Sequence, residues 1–383
     1  MTLRRLRTSW LAILIASALA AAGCHATPPS SGASPALVSP APPPTPSAPE
    51  TSILPHIVDH GSDDAADNPI DHVIAISIDG LNPNAIKKLG PSGAPTFHRL
   101  MREGAYTLNA RTVREKTSTL PNHTAMLTGR RVDEEHGGHG YSDNFDDGGT
   151  VHGAAGHYVA SVFDVVHDHG GSTALSAAKT KFILYKRSWN THGAPDRVGR
   201  NDGRAKIDRF TIDHDNTRLV SKLNDELRHK PREFTFLHIS LPDRAGHAHG
   251  FMGKQYIGAV KRTDVLLGRI LKTVDHRPAL RRHTLVILTA DHGGSGASHY
   301  QARKLQNFRI PFMAWGPGVS AGRDLYSINR TFRSPGNYRT NYRGQQPIRN
   351  GDLANLATDA LDLPRVPGAE FDSSRTLDLF ARR

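Results

Sequence analysis

From residue 70 onward, short apolar blocks alternate with longer stretches of helical periodicity. Residues 73–78 form a nearly continuous apolar run with β-branched side chains, the pattern of a strand covered on both faces. Residues 235–239, 285–288 and 311–315 read the same way. Between them, 215–227 and 255–274 carry helical spacing, the latter with Ile257, Val260, Leu267, Leu271 and Val274 on one face. Strands alternating with helices predict an α/β fold, a three-layer α/β/α sandwich with a mainly parallel central sheet. A chain of 383 residues with 37% hydrophobic content can bury one large core, so residues 70–383 are expected to form a single domain. Ligands of such sheets sit beyond the carboxyl ends of the strands.

The first 69 residues have a different pattern. Arg4, Arg5 and Arg7 precede an apolar run from Trp10 to Ala22 that is short for a membrane span, and small residues lead into Cys24. Residues 1–24 are therefore expected to be an export signal. Cys24 after Ala21-Ala22-Gly23 resembles the lipobox of bacterial lipoproteins, with Ala21 where leucine is usual, and plain signal-peptidase cleavage near Ala22 is the alternative. Lipidation would anchor the protein to a bacterial membrane, with the catalytic domain outside the cytoplasm. Residues 25–69 begin with a stretch rich in Pro, Ala and Ser that lacks the apolar content to offset ordering, and are expected to be a disordered linker. Cys24 is the only cysteine, which excludes disulfides within the chain and argues against a Cys-ligated metal. The net charge of +12 is spread along the chain, so it reads as a solvated surface biased toward anionic substrates rather than a specific nucleic-acid interface.

Each main strand pattern is followed by acidic and histidine side chains. Asp79 follows 73–78, Asp243 and His247 follow 235–239, and Asp291, His292 and His299 follow 285–288. Carboxylate and imidazole suit zinc, with manganese or iron as alternatives at a mixed O/N site. Asp79, Asp291 and His292 with the Thr119 hydroxyl would make one metal set, and Asp243, His247 and His299 the other. Two divalent cations would then be balanced by three aspartates and a threonine alkoxide. Thr119 stands in Ser118-Thr119-Leu120-Pro121 ahead of a predicted helix stopped by Gly129, where backbone amides favour an anion. A plain N-cap role for Ser118 or Thr119 is the simpler alternative. Two metals around one hydroxyl point to phosphoryl transfer with Thr119 as nucleophile.

Four segments taken in order, D-G at Asp79-Gly80, T-x-P-N-H at Thr119 to His123, D-x-x-G-H-x-x-G from Asp243 to Gly250, and D-H-G at Asp291 to Gly293, resemble the type I phosphodiesterase/nucleotide pyrophosphatase branch of the alkaline phosphatase superfamily. The resemblance implies an alkaline phosphatase-like fold, Thr119 as nucleophile, and the two metal sets above, with the D-x-x-G-H spacing choosing His247 over His249. His299 follows Asp291 more closely than the third histidine does in many relatives. Asn144 would donate a hydrogen bond to a non-bridging phosphate oxygen. The expected activity is hydrolysis of a phosphodiester or pyrophosphate bond in a small phosphoester substrate. A phosphomonoesterase sharing this machinery and an inactive envelope binding protein are the alternatives. A sulfatase is disfavoured because Thr119 is followed by Leu-Pro-Asn-His. His136, His139, Lys179, Lys181, Trp189 and Asn190 also stand out, but surface positions, a solvated strand end and plain packing are their simpler readings.

Overall fold

The computed structural model describes residues 70–200 and 202–380. The export segment, Cys24 and the linker at 25–69 lie outside them. Eight strands form one sheet: β1 (His72–Ile78), β2 (Ala105–Arg111), β3 (Thr173–Ala177), β4 (Arg209–Ile212), β5 (Phe234–Ile239), β6 (Thr284–Thr289), β7 (Arg309–Trp315) and β8 (Arg323–Asp324), in the order β4-β3-β5-β1-β6-β7-β2-β8. β4, β3, β5, β1 and β6 run parallel, and β7 pairs antiparallel with both β6 and β2. The predicted mainly parallel sheet is present.

The central strands are buried on both faces: every residue of β5 and β6, and all of β1 after His72, are buried. That is why they read as continuous apolar runs rather than as alternation. The helix Lys254–Asp275 covers one face through Tyr256, Val260, Leu267, Leu271 and Val274, with Ile257 only half buried at its edge. The helix Asn216–His229 starts where Asp215 accepts hydrogen bonds from the Thr217 and Arg218 amides, and it buries Leu219, Val220, Leu223 and Leu227. Among the described residues no helix is long and apolar enough to cross a membrane.

Pro311 sits inside β7, between two neighbours, where a residue without an N–H should disrupt pairing. The β2–β7 register jumps from Thr107↔Phe312 to Ala110↔Ile310, so Pro311 faces a bulge and forfeits little. Its carbonyl still accepts the Thr289 hydroxyl at 2.9 Å. The functional consequence lies in the parallel half, where register aligns Ile78 with Ile239 and Ser77 with Thr289. The residues that follow these three strands therefore emerge on one rim.

Candidate metal centre and nucleophile

Backbone contacts stitch the three strand ends together. The Asp243 N–H donates to the Asp79 carbonyl at 3.0 Å, and Asp291 Oδ1 accepts the amides of Gly80 at 3.0 Å and His292 at 2.9 Å. Gly80 has φ +71, and a Cβ there would lie 2.9 Å from Asp243 Cα. Only glycine permits both that conformation and that approach. The Asp243 and Asp79 loops can thus meet.

The side chains that follow converge. His292 Nε2 lies 3.4 Å from Asp79 Oδ1, 3.2 Å from Asp291 Oδ2 and 4.0 Å from Asp243 Oδ1. His299 Nε2 is 3.8 Å and His247 Nε2 3.3 Å from the same Asp243 oxygen, and the two imidazole nitrogens face each other at 3.0 Å. Each of these histidines directs Nδ1 at a backbone carbonyl: His292 at Gly293, His247 at Ala297 and His299 at Thr117, at 2.8, 3.1 and 2.5 Å. A carbonyl only accepts, so Nδ1 carries a proton in each, and in His292 and His299, which burial keeps neutral, Nε2 presents a lone pair, whereas Asp243 favours the protonated form of the more exposed His247. Asp79 Oδ1, Asp243 Oδ1, Asp291 Oδ2 and His292 Nε2 are all buried without a hydrogen-bond partner.

Acceptors turned on acceptors in a buried site repel unless a cation lies between them. The donor set fits metal. Asp79, Asp291 and His292 could hold one ion, and Asp243 and His299 with His292 at their border another, with His247 at the more exposed side. Burial, and for His299 its neighbour His292, push both imidazoles down, His299 to about 3, so they are neutral as ligands must be.

The outer carboxylate oxygens are held differently. Lys179 Nζ lies 2.6 Å from Asp79 Oδ2 and 2.7 Å from Asp243 Oδ2, bridging the two clusters. Its reading as a solvated strand end is corrected: Lys179 follows β3, and the parallel register brings that strand end to the same rim. His238 in β5 accepts the Ala178 amide at Nδ1, so its Nε2 donates to Asp79 Oδ2 at 2.8 Å. Burial opposes ionisation of Asp79, but Lys179 and His238 outweigh it and hold its carboxyl well below the usual range. Asp291 lacks such donors, and burial followed by the neighbouring Asp79 charge pushes it well up.

Thr119 is the first residue of the helix Thr119–Thr128 and is buried. Contacts on both sides tie it to the ligands. Two residues earlier, the Thr117 hydroxyl donates to the His299 carbonyl at 2.5 Å, and one turn later His123 Nδ1 donates to the Thr119 carbonyl at 2.8 Å, with Asp291 Oδ2 3.7 Å away. Ser118 occupies the cap position but makes no side-chain cap bond. Asn144 instead reaches the helix start, where its Oδ1 accepts the Leu120 N–H at 3.2 Å and Lys181 Nζ at 3.1 Å. That orients the Asn144 amide nitrogen outward, 3.5 Å from the Tyr300 hydroxyl. Lys181 is thereby tied to Asn144, so the solvated reading fails for it as well. His139 is buried and donates to the Pro121 carbonyl at 3.1 Å, bracing the same helix, whereas His136 is exposed beside Asp133. Trp189 is packed with its indole on the Val159 carbonyl, and Asn190 bonds to the backbone of Ile207.

A family model described as type I phosphodiesterase / nucleotide pyrophosphatase matches residues 73–309, from β1 into β7. The chain belongs to this family. Among curated proteins, this type I phosphodiesterase-family chain is 26% identical over 215 residues to GPI ethanolamine phosphate transferase 1 of Yarrowia lipolytica, covering 54% of this chain and 22% of that protein. It is 21% identical over 309 residues to the Mus musculus protein of the same name, covering 77% and 32%. The chain thus spans about a fifth to a third of the length of these relatives. Solved structures of murine ectonucleotide pyrophosphatase / phosphodiesterase 5, one of them an inactive variant in complex with AMP, share the fold at TM-scores of 0.57 and 0.56 and 15% identity, covering 81% of this chain and 100% of theirs. Family and relatives together support phosphoester hydrolase or transferase chemistry, and the alkaline phosphatase-like sandwich agrees with the observed sheet.

Three residues that touch or approach this cluster escaped the sequence reading as participants. His238 hides in the apolar run of β5, although a histidine at a position buried on both faces is itself a signal of a polar partner. His123, one turn into the Thr119 helix, and Lys179 become readable only once the strand order is known.

Proposed function

We propose that this chain hydrolyses phosphodiester or pyrophosphate bonds at a site built from Thr119, Asp79, Asp243, His247, Asp291, His292 and His299. The observation that carries this reading is the ring of buried acceptor atoms without a hydrogen-bond partner, formed by three carboxylate oxygens and His292 Nε2. Two divalent cations, for which the ligand types favour zinc, would supply Lewis acidity and lower the pKa of a coordinated hydroxyl.

Thr119, at a helix start whose neighbours Thr117 and His123 approach His299 and Asp291, would give up its hydroxyl proton to solvent and attack phosphorus through Oγ. The Oγ–P bond forms as the bond to the leaving oxygen breaks, and that oxygen departs with the electron pair. Asn144, its Oδ1 engaged by Leu120 and Lys181, turns its amide N–H groups toward a non-bridging oxygen. Water then attacks phosphorus, restoring the Thr119 hydroxyl and releasing phosphate product. Lys179 keeps Asp79 and Asp243 ionised throughout.

The relatives' name favours a second reading, in which an alcohol replaces water in the second half. Both readings share Thr119. The amino-terminal segment and Cys24 support a location outside the cytoplasm on a lipid tether. The deciding experiment is Thr119→Ala assayed on nitrophenyl phosphodiester and monoester with and without an added alcohol. Loss of about a thousandfold or more in rate with metal content retained is expected. Unchanged turnover removes Thr119 from the mechanism, a strong monoester preference makes the chain a phosphomonoesterase, and capture by alcohol over water makes it a transferase.

A further inference from the structure

Residues 292–351 carry nine cationic side chains and one acid, Asp324, in a chain whose net charge is +12. The basic residues are therefore less evenly spread than the whole-chain reading assumed. The segment 333–345 is pinned from beneath by two buried guanidinium groups. Arg111 donates to the carbonyls of Gly336 and Tyr338 at 2.7 and 3.0 Å, and Arg349 to the Thr340 hydroxyl at 2.8 Å and to the Thr112 carbonyl at 2.8 Å. Among the described residues neither forms an ion pair, so their charge adds to that of the loop above them. A loop held by so many backbone contacts presents a fixed surface rather than a mobile one.

On its outer side this loop forms a cleft of about 550 Å³, lined among others by Arg333, Tyr338, Arg339, Asn341, Arg343 and Gln345 and by no acidic side chain. Arg339 has a buried Nε without a partner and donates through its terminal nitrogen to the Arg114 carbonyl. Burial, then the neighbouring Arg114 and Arg303 charges, push the Arg339 guanidinium below its usual range. The nearby Glu115 carboxylate is engaged by the Tyr342 hydroxyl at 2.6 Å. Three guanidinium groups gathered with so little compensation raise the local potential and favour an anion.

The cleft also stands close to the candidate centre. Arg114 precedes Thr117 by three residues and Arg303 follows His299 by four, while Thr117 and His299 are hydrogen-bonded to each other. At no more than about 3.6 Å per residue, both arginine backbones lie within about 15 Å of that contact. We propose that the cleft walled by Arg333, Arg339 and Arg343 is a second anion site, taking a phosphate group that the substrate carries outside its scissile bond. Guanidinium forks match phosphate oxygens in pairs, and the Asn341 and Gln345 amides can complete the shell. This inference rests on the phosphoester-cleaving reading above and names the class of substrate for it.

The test compares two nitrophenyl phosphodiesters with the same leaving group, one with a methyl arm and one whose propyl arm ends in a phosphate, at low salt. Wild-type protein is expected to show a KM about tenfold lower for the phosphate-bearing ester, as hydrogen bonds to charged groups imply. Arg339→Ala, and independently Arg333→Ala, should abolish that difference while leaving kcat and the KM of the methyl ester unchanged, and Arg339→Lys should restore part of it. Equal KM values in wild-type protein, or a rise in both KM values in the variants, overturns the anion site. So does loss of sedimentation with phosphatidylglycerol vesicles in the variants without any ester preference, since the patch then serves a membrane surface. If wild-type protein turns over neither ester, the hydrolytic reading fails and takes this inference with it.

Discussion

Lys179 decides whether three buried carboxylates can share one site. Asp79 and Asp243 each give one oxygen to its ammonium and leave the other free, so one lysine fixes the inward oxygen of a ligand in each cluster. Burial opposes the charge on Lys179, and the two aspartates more than restore it, pushing its pKa up. Residues that orient metal ligands in this way typically change affinity by about 10–100-fold when removed. Lys179→Met should therefore weaken metal binding by about that factor, measured by competition with a chromophoric chelator, while the helical and strand content stays constant. An unchanged affinity would show that His238 alone orients Asp79. Asp79, Asp291, His292 and Thr119 could be proposed from the sequence because they stand just after a strand or at a helix start, and Asp243, His247 and His299 because of their spacing in the segments that follow β5 and β6. Lys179 and His238 could not, because their roles depend on which strands are neighbours, and strand order is a long-range property.

At the level of elements, legibility followed burial. β1, β5 and β6 are sealed on both faces and rich in β-branched or large apolar side chains, so their runs stood out. β3 is equally buried, but its sequence Thr-Ala-Leu-Ser-Ala has small side chains of little strand preference. β2 mixes buried and half-buried positions across a bulge and pairs with β7 in a direction no local pattern announces. The turn after β1 makes the tightest demand on the site. Gly80 combines φ +71 with the 2.9 Å approach to Asp243 Cα, so a methyl group meets backbone rather than a side chain that could rotate away. Gly80→Ala is expected to cost about 1–3 kcal/mol. It should also separate the Asp79 and Asp243 loops. A lower urea midpoint together with reduced metal stoichiometry is the expected pair of results, and a midpoint within error of wild type would mean that the turn relaxes without moving the loops.

Across the whole molecule, the carboxyl-terminal segment closes the structure at points distant in sequence. Gly129, at the end of the Thr119 helix, gives its carbonyl to the Glu370 and Phe371 amides at 2.7 and 2.9 Å, and the Ser320 amide reaches the Leu379 carbonyl at 2.9 Å. Asn355 holds the Val366 amide and the Phe371 carbonyl, each at 2.9 Å. Within this strap Asp372 is buried, and burial pushes its carboxyl up to about 7 even though the Leu377 and Thr376 amides donate to it. In the folded state it keeps a proton that the unfolded chain loses near pH 4, so the folded state binds more protons between about pH 4 and 7. Stability contributed here must fall as pH rises through that window, by at most about 1.4 kcal/mol per pH unit. Buried neutral histidines act in the opposite sense: burial pushes His139 down to about 3, so the unfolded chain binds more protons at that position and stability rises with pH. The net slope therefore cannot isolate Asp372, but a difference can. Asp372→Asn keeps an acceptor for both amides and removes the titration, so the stability difference between variant and wild type should swing toward the variant from pH 4 to pH 7. Parallel urea midpoints across that range would mean that Asp372 is already ionised in the folded chain, with the two amides outweighing its burial.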